Sequence, residues 1–276
     1  MNKAKNQLAD QLNTLDVIIE VLDARIPISS RNPMIDQIIG DKPHIIVLNK
    51  SDLADSAQSK KWVADFKQRN QFVLSLDAQH HTNIDQLRRN IKRADQMRAT
   101  KLEERGARHP VSHVAFVGIP NCGKSTLINR LVGSKRAQVG NKPGVTKGQT
   151  WMKAAKSSDN IQVLDTPGIL WPKFESQTVG YKLAALGAIR DDVFNADDVA
   201  LFVIEFLKKH YANFLLRFSR LSETDFTNLS NPDFLLAMTA KYGMKDDYER
   251  FSLFFLQQLR KGRLGRIDLD LEVDGN

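Results

Sequence analysis

The sequence predicts an α/β fold, in which a doubly wound, mostly parallel six-stranded sheet is followed by a small all-α domain. Two observations carry this prediction. Across residues 1–175, short apolar runs rich in β-branched residues alternate with amphipathic stretches, a pattern typical of parallel strands joined by helices. Across residues 176–276, the apolar residues recur at helical spacing alone, which indicates a separate helical domain.

Length and composition place the chain among ordinary globular proteins. It has 276 residues, of which 42% are hydrophobic and 26% are charged. No apolar run approaches the roughly 20 residues that a membrane helix needs, and the polar start shows no signal peptide. The single cysteine, Cys122, excludes an intrachain disulfide. We therefore expect a cytoplasmic monomer with no membrane segment.

The net charge of +8 is unevenly distributed along the chain. Residues 1–176 hold 27 Lys and Arg against 17 Asp and Glu. Part of this excess is a basic run from Arg88 to Arg108 on a predicted helix. Such a basic half suits an anionic partner such as nucleic acid, and it equally suits a solvated surface. For the basic run itself, the mixture of basic and acidic residues slightly favours a helix face exposed to solvent over a direct nucleic-acid site.

Two buried strands open the chain, and each ends in a polar segment. The periodicity predicts a helix over 4–15, a strand over 16–22, a short helix over 36–39 and a second strand over 44–48. The first strand runs into Asp23-Ala-Arg-Ile-Pro27, a polar loop at what would be the carboxyl edge of the sheet.

The second strand runs into Asn49-Lys50-Ser51-Asp52, an N-K-x-D motif. The Asp52 carboxylate can accept two hydrogen bonds from guanine, from N1–H and from the exocyclic amine, whereas adenine would leave it unpaired. Asn49 would brace the loop and contact the base. The four letters alone are also common in strand-ending turns, but behind a buried strand they predict a guanine site.

A third strand leads to a candidate second base-contacting loop. After a predicted helix over 57–69, the strand over 72–76 runs into Ser75-Leu76-Asp77-Ala78. Guanine-nucleotide proteins usually have Ser-Ala-Lys here, and Leu76 and Asp77 depart from that pattern. The predicted base contacts in this loop are Ser75, Leu76 and Asp77.

The segment Gly118-Ile-Pro-Asn-Cys-Gly-Lys-Ser-Thr126 matches the phosphate-binding loop G-x-x-x-x-G-K-[ST]. A predicted strand over 114–117 precedes it and a helix follows it, as the motif requires. Backbone N–H groups of such a loop turn toward phosphate. Lys124 would reach the β- and γ-phosphates as a catalytic residue, and Ser125 would bind Mg²⁺. The predicted nucleotide contacts are Pro120, Asn121, Cys122, Gly123, Lys124, Ser125 and Thr126.

Two further segments are predicted to contact the γ-phosphate or its Mg²⁺ ion. Thr146, in a Pro-Gly-Val-Thr loop, is predicted to supply a second Mg²⁺ ligand and to take part in catalysis. Strands over 150–155 and 161–164 follow, and the second leads into Asp165-Thr-Pro-Gly168. In this D-x-x-G motif, Asp165 would hold Mg²⁺, usually through water, and the Gly168 N–H would contact the γ-phosphate as a catalytic donor.

The order of the motifs indicates a circular permutation. In an ordinary guanine-nucleotide switch the phosphate loop comes first and N-K-x-D comes late, whereas here N-K-S-D precedes the phosphate loop. A doubly wound sheet tolerates this rearrangement because its termini lie close together at the surface. The consequence is that D-T-P-G leads directly into the last hundred residues. Loss of the γ-phosphate could therefore reorient the second domain.

Four helices are predicted in the second domain. They span Thr178 to Ile189, a stretch capped by Asp197 and ending at His210, one capped by Asn231, and one capped by Asp246. Their aromatic residues are predicted to form the core. A basic segment, 260–266, follows the last helix and suits either phosphate contacts or a charged tail.

These motifs together resemble the circularly permuted GTPases of the bacterial ribosome biogenesis GTPase A (YlqF) family, and the match covers essentially the whole chain. The most specific segments are D-A-R-I-P (23–27), N-K-S-D (49–52), L-D-T-P-G-I-L-W-P-K-F (164–174) and G-A-I-R-D (187–191). The resemblance implies a cytoplasmic GTP hydrolase that assists late assembly of the large ribosomal subunit. It also implies rRNA contact through the C-terminal domain, which favours phosphate contacts for the 260–266 segment.

Catalysis would differ from that of many switch GTPases. Ile169 stands where they have the glutamine that orients the attacking water, and isoleucine cannot hydrogen-bond water. Family members usually have a histidine in a W-F-P-G-H-M-like segment, and the sequence from Met1 holds no such segment. Asn121 matches GTPases that recruit K⁺ beside the phosphates, so K⁺ is a candidate activator.

Two alternatives from other functional classes stay open on the sequence. One is a GTP-gated RNA-binding module with little intrinsic hydrolysis, acting on another RNA. Ile169 favours it, and turnover with and without large subunits separates it from a GTPase. The other is a small-molecule kinase with a phosphate-binding loop, against which N-K-S-D and D-T-P-G both count.

Overall fold

A computed structural model describes residues 15–33, 39–40, 42–69, 72–80, 83–103, 111–133, 150–154, 161–165 and 176–271. The chain divides into two compact units. The first comprises Met1–Lys173 together with Asp270–Asn276, and the second comprises Phe174–Leu269. Asp270 therefore belongs to the first unit, although it lies in the stretch 176–276 that the sequence assigns to the helical domain.

A six-stranded sheet forms the centre of the first unit. Its strands are β1 (Val17–Asp23), β2 (His44–Asn49), β3 (Phe72–Ser75), β4 (Ser112–Val117), β5 (Thr150–Lys153) and β6 (Ile161–Asp165). They lie in the order β3-β2-β1-β4-β6-β5. β5 pairs antiparallel with β6, and all other neighbouring strands are parallel. The predicted α/β class with a mostly parallel sheet of six strands is confirmed.

Both faces of the central strands are buried. On one face, Leu22 of β1 and Leu48 of β2 pack with Trp62 and Phe66 from the first helix. The neighbouring residue Val21 points to the opposite face and is also fully buried. Strands buried on both faces are near-continuous apolar runs, which explains why they are recognisable in the sequence. The described helices of this unit are α1 (Ser56–Arg69), α2 (Ile84–Glu103) and α3 (Lys124–Val132).

The predicted strands all form, with ends displaced by no more than two residues. The predicted helix over 57–69 is α1, which begins one residue earlier. The predicted helix over 4–15 lies outside the described residues except for Leu15, which is fully buried. Most of the predicted helix over 36–39 and the predicted turn at 157–160 also lie outside them.

The described stretch 176–271 contains six α-helices, where the sequence predicts four. They are α4 (Gln177–Ala185), α5 (Ala196–His210), α6 (Ala212–Ser219), α7 (Glu223–Asn228), α8 (Asn231–Lys241) and α9 (Tyr248–Arg260). The prediction missed α6 and α7 because they are short and bury little: α6 buries Leu215 and Ser219, and α7 buries none of its residues. None of the described helices is both long and apolar enough to cross a membrane.

The predicted caps of three helices in this unit are wrong by one or two residues. Asn195, not Asp197, caps α5, because its side chain accepts hydrogen bonds from the backbone at the start of the helix. Ser230, not Asn231, caps α8, and Asp247, not Asp246, caps α9. In each case the better-placed oxygen lies just before the first helical residue. The predicted helix over 178–189 is α4, which ends at Ala185.

Arg260 fastens the end of α9 to the end of α4. Its guanidinium donates to the carbonyl oxygens of Ala184 (2.9 Å) and Ala185 (3.0 Å) and pairs with Asp191 at 2.7 Å. Gly187 has φ +78°, and a Cβ there would lie 3.2 Å from Arg260 Nε. The G-A-I-R-D segment therefore has a packing role in this unit, with glycine leaving room for the guanidinium and aspartate pairing with it.

Candidate nucleotide-binding site

The predicted motifs meet at one edge of the sheet. Asp23, Asn49, Ser75 and Asp165 are the last residues of four parallel strands, and the phosphate-binding loop begins at Gly118, directly after β4. Ligands of open α/β sheets bind beyond the carboxyl ends of the strands. Segments separated by more than a hundred residues in the chain are thus brought to the same edge.

The phosphate-binding loop is packed tightly against its neighbours at two glycines. Gly118 has φ +149°, and a Cβ at this position would lie 2.4 Å from the carbonyl oxygen of Val21 in β1. Gly123 has φ +101°, and its Cβ would lie 2.1 Å from Asn49 Nδ2. Real side chains do not approach so closely, so both positions require glycine. The loop is therefore fixed against β1 and against the N-K-S-D motif.

Lys124, the first residue of α3, lies over the loop that precedes it. Its side chain is 6% exposed, and Nζ donates to the carbonyl oxygens of Gly118 (3.1 Å) and Ile119 (2.9 Å). These neutral acceptors hold the ammonium group within the loop. Phosphate oxygens are stronger, charged acceptors for the same group.

Asn49 joins three segments of the site. Its Nδ2 donates to the carbonyl oxygen of Cys122 at 2.8 Å, and its Oδ1 accepts from the Ala78 N–H at 3.1 Å. The amide of this one side chain thus connects N-K-S-D to the phosphate-binding loop and to the loop after β3. The sequence predicts a bracing role for Asn49, but the two partners come only from the structure.

The loop after β3 differs in detail from its predicted arrangement. The Leu76 N–H donates to Leu48 O at 2.9 Å, and the Leu76 side chain is fully buried. Arg130 of α3 donates to the carbonyl oxygens of Ala78 (3.0 Å) and Gln79 (2.9 Å). The Ala78 N–H, which donates to Asn49, thus joins this loop to N-K-S-D, although Ala78 is not among the predicted base contacts. The alanine in the usual Ser-Ala-Lys pattern could have suggested Ala78.

A buried ionic cluster supports N-K-S-D from β1. The Asp23 carboxylate accepts from Arg25 Nη2 and from Lys50 Nζ, each at 2.9 Å, and both Asp23 and Arg25 are buried. Burial alone would raise the pKa of Asp23, but the charges of Arg25 and Lys50 outweigh it and hold this pKa well below its usual value. The polar loop at 23–27 is thus a charged support for Lys50, a role that the sequence did not identify.

The predicted base-reading residue, Asp52, lies close to a second carboxylate. Burial, followed by the negative charge of Asp77, raises the pKa of Asp52 above its usual value. Asp77 accepts hydrogen bonds from the backbone N–H groups of Gln79 (2.8 Å) and His80 (3.2 Å). One carboxylate oxygen each of Asp52 and Asp77 and one ring nitrogen of His80 all lie within 4.8 Å of one another.

The residues predicted to hold Mg²⁺ are partly within the described structure. Asp165 pairs in register with Phe116 of β4, two residues before the phosphate-binding loop, and Ser125 is the second residue of α3. A hydroxyl and a carboxylate are oxygen donors, which Mg²⁺ prefers, so these two positions fit the ion. Thr146, Gly168 and Ile169 lie outside the described residues.

The chain is similar to known GTPases. A family model described as 50S ribosome-binding GTPase matches residues 113–237. The match begins at β4, so N-K-S-D lies upstream of it. A protein named Ribosome biogenesis GTPase A from Bacillus cereus is 41% identical over 98% of this chain and 91% of its own length. Mitochondrial ribosome-associated GTPase 1 from Mus musculus is 31% identical over 99% of this chain and 89% of its own.

Solved structures show the same fold. The crystal structure of GNP-bound YlqF from T. maritima has a TM-score of 0.67 and 25% sequence identity, with 98% of each chain covered. A GDP-bound structure of the T. maritima YlqF has a TM-score of 0.70 and 24% identity, and covers 96% of this chain and 98% of its own.

Proposed function

The chain belongs to the ribosome biogenesis GTPase A family, and we propose that it is a GTP hydrolase that acts as a nucleotide-dependent switch in assembly of the large ribosomal subunit. The observation that carries the proposal is the position of Asn49. Its amide joins N-K-S-D, the phosphate-binding loop and the loop after β3 at one sheet edge. This is the connection that a single guanine nucleotide, spanning base to phosphate, requires.

In this proposal the base lies against N-K-S-D and the loop after β3. Asp52 accepts from guanine N1–H and the exocyclic amine, while Lys50, held by Asp23, forms part of the base pocket. Ser75, Leu76 and Asp77 shape the second loop rather than all contacting the base, because Leu76 is buried and its N–H is bonded to β2. Ala78 is the residue of this loop whose backbone N–H donates to Asn49 Oδ1.

The phosphates bind in the loop from Pro120 to Thr126 and at the amino end of α3. Lys124 exchanges its two carbonyl acceptors for phosphate oxygens. Ser125 and Asp165 would hold Mg²⁺, which would neutralise charge at the phosphates. Thr146 and Gly168, which lie outside the described residues, stay the predicted γ-phosphate contacts, with Thr146 as a second predicted Mg²⁺ ligand. K⁺, recruited through Asn121, is the proposed activator of hydrolysis.

The proposed partners are rRNA and the large subunit, bound in the GTP state by the helical unit. Within that unit, Arg260 is held by Ala184, Ala185 and Asp191, so the proposed phosphate contacts of the 260–266 segment fall to its other basic residues. Arg88, at the start of the basic run on α2, donates to the last carbonyl oxygens of α3, including Leu131 O at 3.1 Å. That contact favours a structural role for Arg88.

We further propose that the protein acts as a cytoplasmic monomer.

The base site is tested by Asp52→Asn. An amide donates as well as accepts, so the variant should favour xanthine, which offers an acceptor where guanine has its amine. We expect GTP affinity to fall about 10- to 100-fold, since an unpaired buried group costs about 1–3 kcal/mol, and XTP affinity to rise. Fluorescence titration with both nucleotides measures the change. Unchanged preference for GTP would refute the assignment of Asp52.

The switch is tested by co-sedimentation with purified large ribosomal subunits in a non-hydrolysable GTP analogue, GDP or ATP. Binding with the GTP analogue alone supports the switch and its target together. GTP turnover with and without subunits then separates the GTPase from a GTP-gated RNA-binding module, which would bind but hydrolyse little. Tight GTP binding with no sedimentation in any state would refute the ribosomal partner and leave the nucleotide site intact.

A further inference from the structure

His80 lies between the two carboxylates of the base-binding region. Its Nδ1 contacts Asp77 Oδ2 and lies 4.0 Å from Asp52 Oδ2. The Asp77 side chain is 6% exposed, whereas the His80 side chain is 63% exposed. The imidazole therefore contacts the buried Asp77 carboxylate from the solvent side. It also lies beside Asp52, the carboxylate that is predicted to bind the base.

The backbone around His80 is held from several directions. Arg130 donates to the carbonyl oxygens of Ala78 and Gln79, and the His80 N–H donates to the Asp77 carboxylate. On the far side of the loop, Asn83 Nδ2 donates to Ser75 O at 2.9 Å. These contacts hold the backbone that carries His80, and the contact with Asp77 orients its ring.

Two neighbouring carboxylates create a difficulty for guanine recognition. Asp52 can accept from both N1–H and the exocyclic amine only while it is ionised. Burial and the charge of Asp77 both favour the protonated form of Asp52, and a base packed against it would bury it further. Of the charged groups that act on Asp52, Arg25 and His80 favour the ionised form.

We propose that His80 is a positioning residue for guanine selection: its imidazole is held by Asp77, stands beside Asp52 and offsets the repulsion between the two carboxylates, so that Asp52 stays turned toward the base. The inference rests on the proposed guanine site and adds to it a residue that no part of the N-K-x-D motif predicts. His80 itself does not contact the nucleotide in this arrangement. Its effect on the base passes entirely through Asp52.

The test compares GDP with IDP, whose hypoxanthine base lacks the exocyclic amine. The ratio of the two affinities reports how well Asp52 receives that amine. We expect His80→Ala to reduce the preference for GDP over IDP by about tenfold, because the amine loses one well-aligned hydrogen bond to the carboxylate. His80→Arg, which places a permanent cation beside the two carboxylates, should retain most of the preference, whereas His80→Gln, a neutral hydrogen-bond donor, should not. Thermal unfolding of each variant checks that it is folded.

A double-mutant cycle with Asp77→Asn sharpens the test. The Asn oxygen can still accept from the Gln79 and His80 N–H groups, but the charge beside Asp52 is removed. His80→Ala should then cost little in that background, because no second carboxylate remains to be offset. Equal losses of GDP and IDP binding in His80→Ala, or a loss undiminished by Asp77→Asn, would overturn the proposal in favour of a purely structural loop contact.

Failure of this inference is distinguishable from failure of the guanine site. If the unaltered protein prefers GDP over ADP and Asp52→Asn removes that preference, the site stands. A His80→Ala protein with an unchanged ratio of GDP to IDP affinity would then refute the role of His80 alone.

Discussion

The two units of the chain bury polar side chains of different kinds. The described part of the first unit buries full charges near the strand ends, among them Asp23, Arg25, Asp77 and Lys124. The described part of the second buries mostly neutral polar groups beneath an aromatic core, namely Ser219, Thr239, Ser252, Gln258 and the one carboxylate Asp268. Burying a charge costs much more than burying a hydroxyl. The charges buried at the carboxyl edge of the sheet lie at the site, although Asp16 and Glu20 of the same unit are also buried away from that edge. The buried polar groups of the helical unit have packing roles.

The largest effect is expected at the charged cluster of the first unit. Asp23→Asn would leave Arg25 and Lys50 without their shared counter-charge in a buried position. Breaking a buried ion pair by removing one partner costs about 3–5 kcal/mol, and we expect a loss of that size in urea unfolding at pH 7. Weaker GDP binding should accompany it, because Asp23 holds Lys50 at the base site.

The pH dependence of stability in the parent protein and in Asp23→Asn tests whether the loss is ionic. The pKa of Asp23 is lowered in the folded protein, so its stabilising contribution is present above the pKa of an unfolded Asp, about 3.9, and is lost as the pH falls below that value. The stability difference between the parent protein and Asp23→Asn should therefore shrink below about pH 4. A difference that stayed constant down to pH 2 would contradict the ionic account.

A smaller effect, on GDP binding, is expected where neutral hydrogen bonds connect segments of the first unit. Asn49→Ala removes the contacts to Cys122 O and Ala78 N and leaves both groups without this partner. We expect about 1–3 kcal/mol of lost GDP binding, measured by calorimetry. Asn49→Asp keeps the acceptor for Ala78 but sets a carboxylate oxygen against the Cys122 carbonyl oxygen, so it should lose at least as much GDP binding as Asn49→Ala. If both variants bound GDP normally, the hydrogen bonds of Asn49 would not be needed to hold the segments of the nucleotide site together.

A third effect concerns the end of the chain, where it returns to the first unit. The Asp270 carboxylate accepts from the backbone N–H and the hydroxyl of Ser29, each at 2.7 Å, and Trp62 Nε1 donates to Asp270 O at 3.0 Å. Asp270→Asn removes the charge from two hydrogen bonds, so we expect about 1–2 kcal/mol of lost stability. Ser29→Ala should produce a comparable loss, and the double variant should cost less than the sum. Fully additive losses in urea unfolding would mean that the two residues are not coupled.

Sequence reasoning succeeded where a motif stands directly behind a buried strand. The strands before N-K-S-D and before the phosphate-binding loop form as predicted, so Asn49 and Lys124 take their expected places in the fold, while their roles in binding stay predictions. The contact between Ser29 and Asp270 joins residues 241 positions apart, and no local pattern encodes it. The cap of α5 was missed for another reason: both Asn195 and Asp197 are good capping residues, and only the backbone geometry decides between them.

The smallest effect is expected in the helical unit. The Ser252 hydroxyl donates to Asp197 Oδ1 at 2.7 Å, joining α9 to the start of α5, and Ser252 is fully buried. Ser252→Ala removes one such bond, and Asp197 is only half-buried, so water can replace the lost donor; we expect about 1 kcal/mol of lost stability. GDP affinity should be unchanged, because neither residue belongs to the site. If Ser252→Ala weakened GDP binding as much as Asn49→Ala, the neutral polar groups of the helical unit would have a role in binding as well as in packing.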